Sequence, residues 1–229
     1  MSTLVLWDID LTLVDYSGIG RKWYAEALAN AVGKQMAHLP TFPGRTERSL
    51  AREILAAHDE PHDDEQVERL FAELESIALA ARASLPTLGR ALAGAPEILA
   101  ALHSRDDVVQ SLVTGNLPTL ASWKLEAFDL HRHVDFEIGG YGSLSEHRHD
   151  LVAAAITQAA AKHTCAFEPT SVIVIGDTPA DVAAGQHHGT ITVGVATGRH
   201  TVEQLTASGA DIVLPDLADT PTVLAALLR

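Results

Sequence analysis

The chain has 229 residues, 47% of them hydrophobic, with 30 acidic against 16 basic side chains and a formal charge of −14. That is material for one sizeable α/β domain, alone or with a smaller insert, and it excludes a disordered chain. The acid excess argues against nucleic acid or an anionic membrane surface as main partner, since both reward a basic face.

The chain begins with an apolar run, Leu4–Trp7, that leads straight into Asp8-Ile9-Asp10-Leu11-Thr12. Further short aliphatic runs at Val108–Val113, Val172–Ile175, Thr190–Val195 and Ile212–Leu214 read as buried parallel strands. A weaker strand is predicted at Phe136–Ile138, before a turn at Gly139–Ser143. Helical patterns at Pro96–His103, Pro118–Ala127, Asp150–His163, Pro179–His187 and Thr201–Ser208 alternate with the strands. Pro96, Pro118 and Pro179 sit where a first helical turn tolerates proline. Such alternation predicts βαβ units in a doubly wound α/β sheet.

Residues 16–85 break the alternation. Helical spacing covers Trp23–Val32, Glu47–Ala57 and Asp64–Ala83, the last with Val67, Leu70, Phe71, Leu74, Ile77 and Ala78 on one face. The expected organisation is a core of residues 1–15 and 86–229 with an all-helical insert, 16–85, between its first strand and the rest.

Three strand ends carry polar groups: Asp8 and Asp10, then Thr114-Gly115-Asn116, then Gly176-Asp177-Thr178-Pro179-Ala180-Asp181. Ligands of open parallel sheets bind outside the carboxyl ends of the strands. One edge would thus gather up to four carboxylates, a hydroxyl and two helix N-termini. Helix N-termini favour phosphate and clustered carboxylates favour Mg²⁺, so a phosphate ester with a bound Mg²⁺ is the expected occupant.

These motifs, in this order and each after a predicted strand, resemble those of the haloacid dehalogenase superfamily, on its phosphatase side near the phosphoglycolate-phosphatase-like branch. The resemblance implies a Rossmann-like core with a helical cap. It makes Asp8 a nucleophile that forms an aspartyl-phosphate. It makes Asp10 a general acid and base whose backbone carbonyl also touches the metal. Asp8, Asp10 and Asp177 would hold Mg²⁺, with Asp181 supporting from the same turn. Thr114 and the N–H groups of Gly115 and Asn116 would hold phosphoryl oxygens. The family's usual lysine before the last motif is missing, and Arg148 is expected in its place; His147, Lys124 and Lys162 are weaker candidates. Leu11 stands where many relatives carry glycine.

The insert also carries Pro43–Arg48, where Thr46 reads as a helix N-cap and Arg45 as a cap residue presented to substrate; Tyr16, Arg21 and Trp23 are comparable candidates. The 12 histidines include the pairs His131/His133, His147/His149 and His187-His188. They lack the cysteine pairs or His-x-x-x-His helix of a local zinc motif, so surface decoration is expected. Cys165 is the only cysteine, which excludes an intrachain disulfide. No signal core and no run near the ~20 apolar residues of a membrane span is visible, so a cytoplasmic protein is expected. The combined expectation is a Mg²⁺-dependent phosphatase for a small phosphorylated metabolite. A phosphosugar mutase is the nearest alternative; a phospho-accepting receiver and a non-catalytic binding module are more distant ones.

Overall fold

The structure, a computed structural model, describes residues 2–228. Strands are β1 (Thr3–Trp7), β2 (Val14–Asp15), β3 (Arg90–Ala91), β4 (Val108–Thr114), β5 (Gly140–Tyr141), β6 (Val172–Gly176), β7 (Ile191–Val195) and β8 (Ile212–Leu214). Helices are α1 (Ile19–Val32), α2 (Glu47–Ala57), α3 (Asp64–Ala81), α4 (Leu85–Leu88), α5 (Ala95–His103), α6 (Pro118–Glu126), α7 (Arg148–His163), α8 (Pro179–His187), α9 (Val202–Ala207) and α10 (Thr220–Leu227).

Six strands form one parallel sheet in the order β5-β4-β1-β6-β7-β8. Numbered along the chain within that sheet, the order is 3-2-1-4-5-6, the doubly wound arrangement with its switch point between the first and fourth strands. The register sets Trp7 beside Leu112 on one side and Ile175 on the other. The polar residues that follow these three strands therefore come out at one level of one edge.

Alternation within the central strands divides the core in two. Leu4, Leu6, Val172 and Val174 pack with Leu151, Val152 and Ala155 of α7 and Ala184 of α8. Val5, Trp7, Ile173 and Ile175 face the other way, against Ile98, Leu99 and Leu102 of α5 and Val223 of α10. A two-residue side-chain period on a sheet covered on both faces requires this split.

The helical insert is present. Helix α3 packs on α1 and α2, and buries Val67, Leu70, Phe71, Leu74, Ile77 and Ala78, the face read from the sequence. The antiparallel pair β2–β3 joins the chain's exit from the core to its return. That pair was not foreseen, because two-residue strands leave no periodic signal. Helix α10 was missed as well.

The predicted strand Phe136–Ile138 is a 3₁₀ turn instead. Asp135 caps it by accepting from the Glu137 N–H at 3.0 Å, which favours a turn over a ladder. The edge strand forms two residues later, where Gly140 pairs with Val113. A Cβ at Gly140 would lie 2.0 Å from the Leu151 carbonyl oxygen, so only glycine lets α7 come this close.

Leu11 has φ +63°, the left-handed conformation that suits glycine and costs a branched side chain about 1–2 kcal/mol. Its N–H donates to Val14 O at 2.7 Å and its carbonyl accepts from Thr197 Oγ1 at 2.6 Å, which hold the strained turn in place.

Leu70 is fully buried in the insert. Leu70→Ala is expected to lower unfolding free energy by about 2–5 kcal/mol, the range for a leucine-sized void, read from the urea midpoint by circular dichroism.

Candidate active site

Asp8 follows β1 and is buried, with its N–H donating to Ile175 O at 2.8 Å. Asp177 follows β6 and is buried; Asp181 is buried in the first turn of α8. Thr178 caps that helix, and the Asp181 carboxylate accepts from the Thr178 N–H at 3.1 Å and hydroxyl at 2.6 Å. One carboxylate oxygen from each of Asp8, Asp177 and Asp181 lies within 4.8 Å of the others.

Arg148, the first residue of α7, is also buried. Its Nη2 lies 2.7 Å from Asp8 Oδ1, 2.5 Å from Asp181 Oδ1 and 3.3 Å from the Val113 carbonyl oxygen. Two of the three buried carboxylates thus share a single guanidinium, and Asp177 has no direct cationic partner among the described residues. The imbalance is visible in their proton affinities. Burial, then repulsion from Asp8 and Asp181, pushes Asp177 up to about 9. Burial, opposed by Arg148, raises Asp8 to about 7. Oxygen donors this close and this electron-rich fit a hard divalent cation.

Across from this group, Asp10 forms a separate polar knot. Lys124 Nζ reaches its two carboxylate oxygens at 2.8 and 2.7 Å, and Asn116 Nδ2 donates to Oδ2 at 2.7 Å. Lys124 also donates to Asn116 Oδ1 at 2.6 Å, and Asn116 Nδ2 lies 2.7 Å from Thr114 Oγ1. Thr114 and Asn116 are both buried.

A family model described as haloacid dehalogenase-like hydrolase matches residues 5–186. The chain belongs to that family. A hydrolase from Pseudomonas syringae has a similar structure, with TM-score 0.67 and 21% identity over 100% of both chains. A Haemophilus somnus protein provisionally named a phosphoglycolate phosphatase gives 0.67 and 18% over 97% of both. A Thermotoga maritima protein provisionally named β-phosphoglucomutase gives 0.58 and 18% over 100% of both. No curated protein sequence matches the chain.

The insert of this haloacid dehalogenase-like hydrolase closes over the site. The first two N–H groups of α2 have no partner within their helix. They donate instead to the core, Glu47 N to Gly115 O and Arg48 N to Gly142 O, both at 2.9 Å. A Cβ at Gly142 would sit 1.7 Å from Gly115 O, so glycine is required where these loops meet. A cavity of about 410 Å³ lies beneath, lined by Asp8, Asp10, Lys124 and Arg148 on the core side and by Tyr24, Phe42 and Glu47 among the insert residues.

Glu47 was not singled out by sequence reasoning. An acid at the first position of a capped helix looks like an ordinary partner of the helix dipole. Here its carboxylate accepts from the Tyr24 hydroxyl, and burial pushes it up to about 7. Lys124 ranked low, although a lysine among the buried Leu120, Ala121 and Leu125 of α6 was the available signal. Thr46 is the N-cap expected, accepting from the Ser49 N–H at 3.2 Å.

Other expected residues are placed differently. Arg45 lines the cavity, but its guanidinium folds back along α2, to Ser49 Oγ at 3.0 Å and Glu53 at 2.8 Å. Lys162 is remote, paired at 2.6 Å with both Asp135 and Glu137. The Asp10 carboxylate stands outside the three-acid cluster, and Asp181 stands inside it. Tyr16, Arg21 and Trp23 all line the cavity.

Asp8 and Asp177 hold protons more tightly folded than unfolded, and that contribution is complete below the ordinary carboxylate range near 4. It is lost as pH rises through about 7 and 9. Metal-free protein is therefore expected to lose Tm across this window. Added divalent cation should stabilise increasingly as pH rises, measurable by thermal melts with chelator and with metal.

Proposed function

We propose that this hydrolase is a Mg²⁺-dependent phosphatase that cleaves the phosphate monoester of a small metabolite through an aspartyl-phosphate on Asp8. The observation that carries the reading is Asp8 itself, buried at a strand end beside Asp177, with a buried guanidinium 2.7 Å away. Phosphoryl transfer asks mainly for positioning and neutralised equatorial charge, and this site offers both.

The mechanism follows from these residues. An Asp8 oxygen attacks phosphorus in line, and the bond to the leaving oxygen breaks. Asp10 gives that oxygen a proton, then takes one from the water that hydrolyses the aspartyl-phosphate. Lys124 and Asn116 fix the orientation of Asp10. Arg148, the Thr114 hydroxyl and the N–H groups of Gly115 and Asn116 hold the non-bridging oxygens. Arg148 keeps its charge at any working pH and takes the part a lysine plays in relatives. Asp8 and Asp177, with the Asp10 backbone carbonyl, would hold Mg²⁺, and Asp181 is near enough to join or orient them. The bound ion neutralises charge on the transferring group and screens the approach of an anionic substrate to the acids.

Residues 16–85 act as a cap that excludes water and selects the leaving group. No helix among the described residues is long and apolar enough to cross a membrane, in keeping with a dissolved substrate.

A panel of phosphorylated metabolites, assayed for phosphate release with and without Mg²⁺, tests the reading. Release on at least one substrate, abolished by chelator, is expected; isomer formation without release would indicate a mutase instead. Asp8→Asn should leave no turnover above background. Asp10→Asn should slow release by about 10²–10⁴-fold, the usual worth of a proton-transfer group, while retaining Mg²⁺ affinity. Equal mild losses in both variants would overturn the assigned roles.

A further inference from the structure

We propose that Glu47 forms the leaving-group subsite and takes a primary ammonium there, which makes the substrate the phosphate monoester of a small amino alcohol. This assignment rests on the phosphatase reading and adds to it the chemistry of the departing half. Glu47, the first residue of α2, is half-buried and lines the cavity. It stands close enough to Asp10 and Lys124 for both charges to act on it. Asp10 is the group assigned to protonate the leaving oxygen, so the carbon chain on that oxygen extends toward Glu47.

The polar atoms of this side offer an acceptor and withhold their donors. The Tyr24 hydroxyl donates to Glu47 Oε2, and Oε1 takes no hydrogen bond among the described residues. The three N–H bonds of Lys124 are directed to Asp10 at 2.8 and 2.7 Å and to Asn116 Oδ1 at 2.6 Å. The Arg45 guanidinium is committed to Ser49 and Glu53. Arg21 and Arg199 also line the cavity but are exposed, where water and salt weaken their pull. A leaving group ending in a carboxylate or a second phosphate would thus meet an acid, with no buried cation on that side free to hold it.

A carboxylate drawn out of water loses hydration, and burial raises the proton affinity of Glu47 for that reason. An ammonium beside it favours the charged form and supplies the N–H donor that Oε1 lacks. Tyr16, Trp23, Tyr24 and Phe42 line the same cavity, although aromatic residues make up only 5% of the chain. The Tyr24 and Phe42 rings meet edge to face, with centroids 5.5 Å apart. Aromatic rings attract a desolvated cation, so acid and rings together favour an ammonium over a neutral group of the same size.

The test assays the full chain in saturating Mg²⁺ on esters that differ at the far end of the leaving group: phosphoethanolamine, propyl phosphate, 2-hydroxyethyl phosphate and phosphoglycolate, with p-nitrophenyl phosphate beside them. For phosphoethanolamine, kcat/KM is expected to exceed that of each other aliphatic ester by roughly tenfold or more, the worth of one hydrogen bond to a charged group. Glu47→Gln keeps an acceptor for Tyr24 and removes the charge, so the margin over propyl phosphate should collapse. A merely structural role would lower all the rates together and leave the margin intact. Melting curves show whether that variant folds; Glu47→Asp, its charge drawn back by one methylene, is the second variant, and there the margin should narrow. Release from p-nitrophenyl phosphate with no margin for the ammonium ester, a margin untouched by the variants, or 2-hydroxyethyl phosphate as the better substrate would overturn the assignment and leave the phosphatase reading standing. No release from any ester would remove that reading, and the assignment with it.

Discussion

The guanidinium of Arg148, buried between Asp8 and Asp181, is the interaction on which the site depends. Buried charges are tolerated only when paired, and removing one partner leaves an uncompensated charge of high cost. Here one cation faces three carboxylates. Arg148 pairs with Asp8 and Asp181 but does not neutralise the group, and the proton affinity of Asp177 is raised first by burial and then by repulsion from those two acids. The fold is thus built with a deficit of positive charge at the carboxyl edge of its central strands. The clustered oxygens at that edge have the donor chemistry of a hard divalent cation.

Asp10 lies in the same loop as Asp8 yet belongs to a different electrostatic neighbourhood. Lys124 and Asn116 give it a complete set of partners, whereas Asp8 is desolvated among other acids. Two carboxylates with contrasting surroundings can carry contrasting roles. The turn that follows them passes through Leu11 in a left-handed conformation, strain that the bonds to Val14 and Thr197 retain.

The insert is joined to the carboxyl edge of the sheet by chemistry of its own backbone. The unsatisfied N–H groups at the start of α2 find their acceptors in Gly115 and Gly142, in the loops that follow β4 and β5. The placement of the insert is therefore tied to the loop expected to hold phosphate. The same docking brings Glu47 and Tyr24 into the cavity opposite Lys124 and Asp10.

Much of this was legible in the chain, and for identifiable reasons. Leu4–Trp7, Val172–Ile175 and the face of α3 announced themselves through period and burial, and the acids Asp8, Asp10, Asp177 and Asp181 through their positions at strand ends. Residue order also determined that Thr114, Gly115 and Asn116 would meet those acids, since a parallel sheet brings successive strand ends to one edge. Only the tertiary structure decided that Arg148 turns inward, that Arg45 folds back on Glu53, that Lys124 is the partner of Asp10 and that the paired histidines of two helices share one surface. Local pattern fixes which face of a helix or strand is apolar. It carries no record of which distant charge a long, flexible side chain will reach, because that choice is made by the packing of elements far apart in the chain.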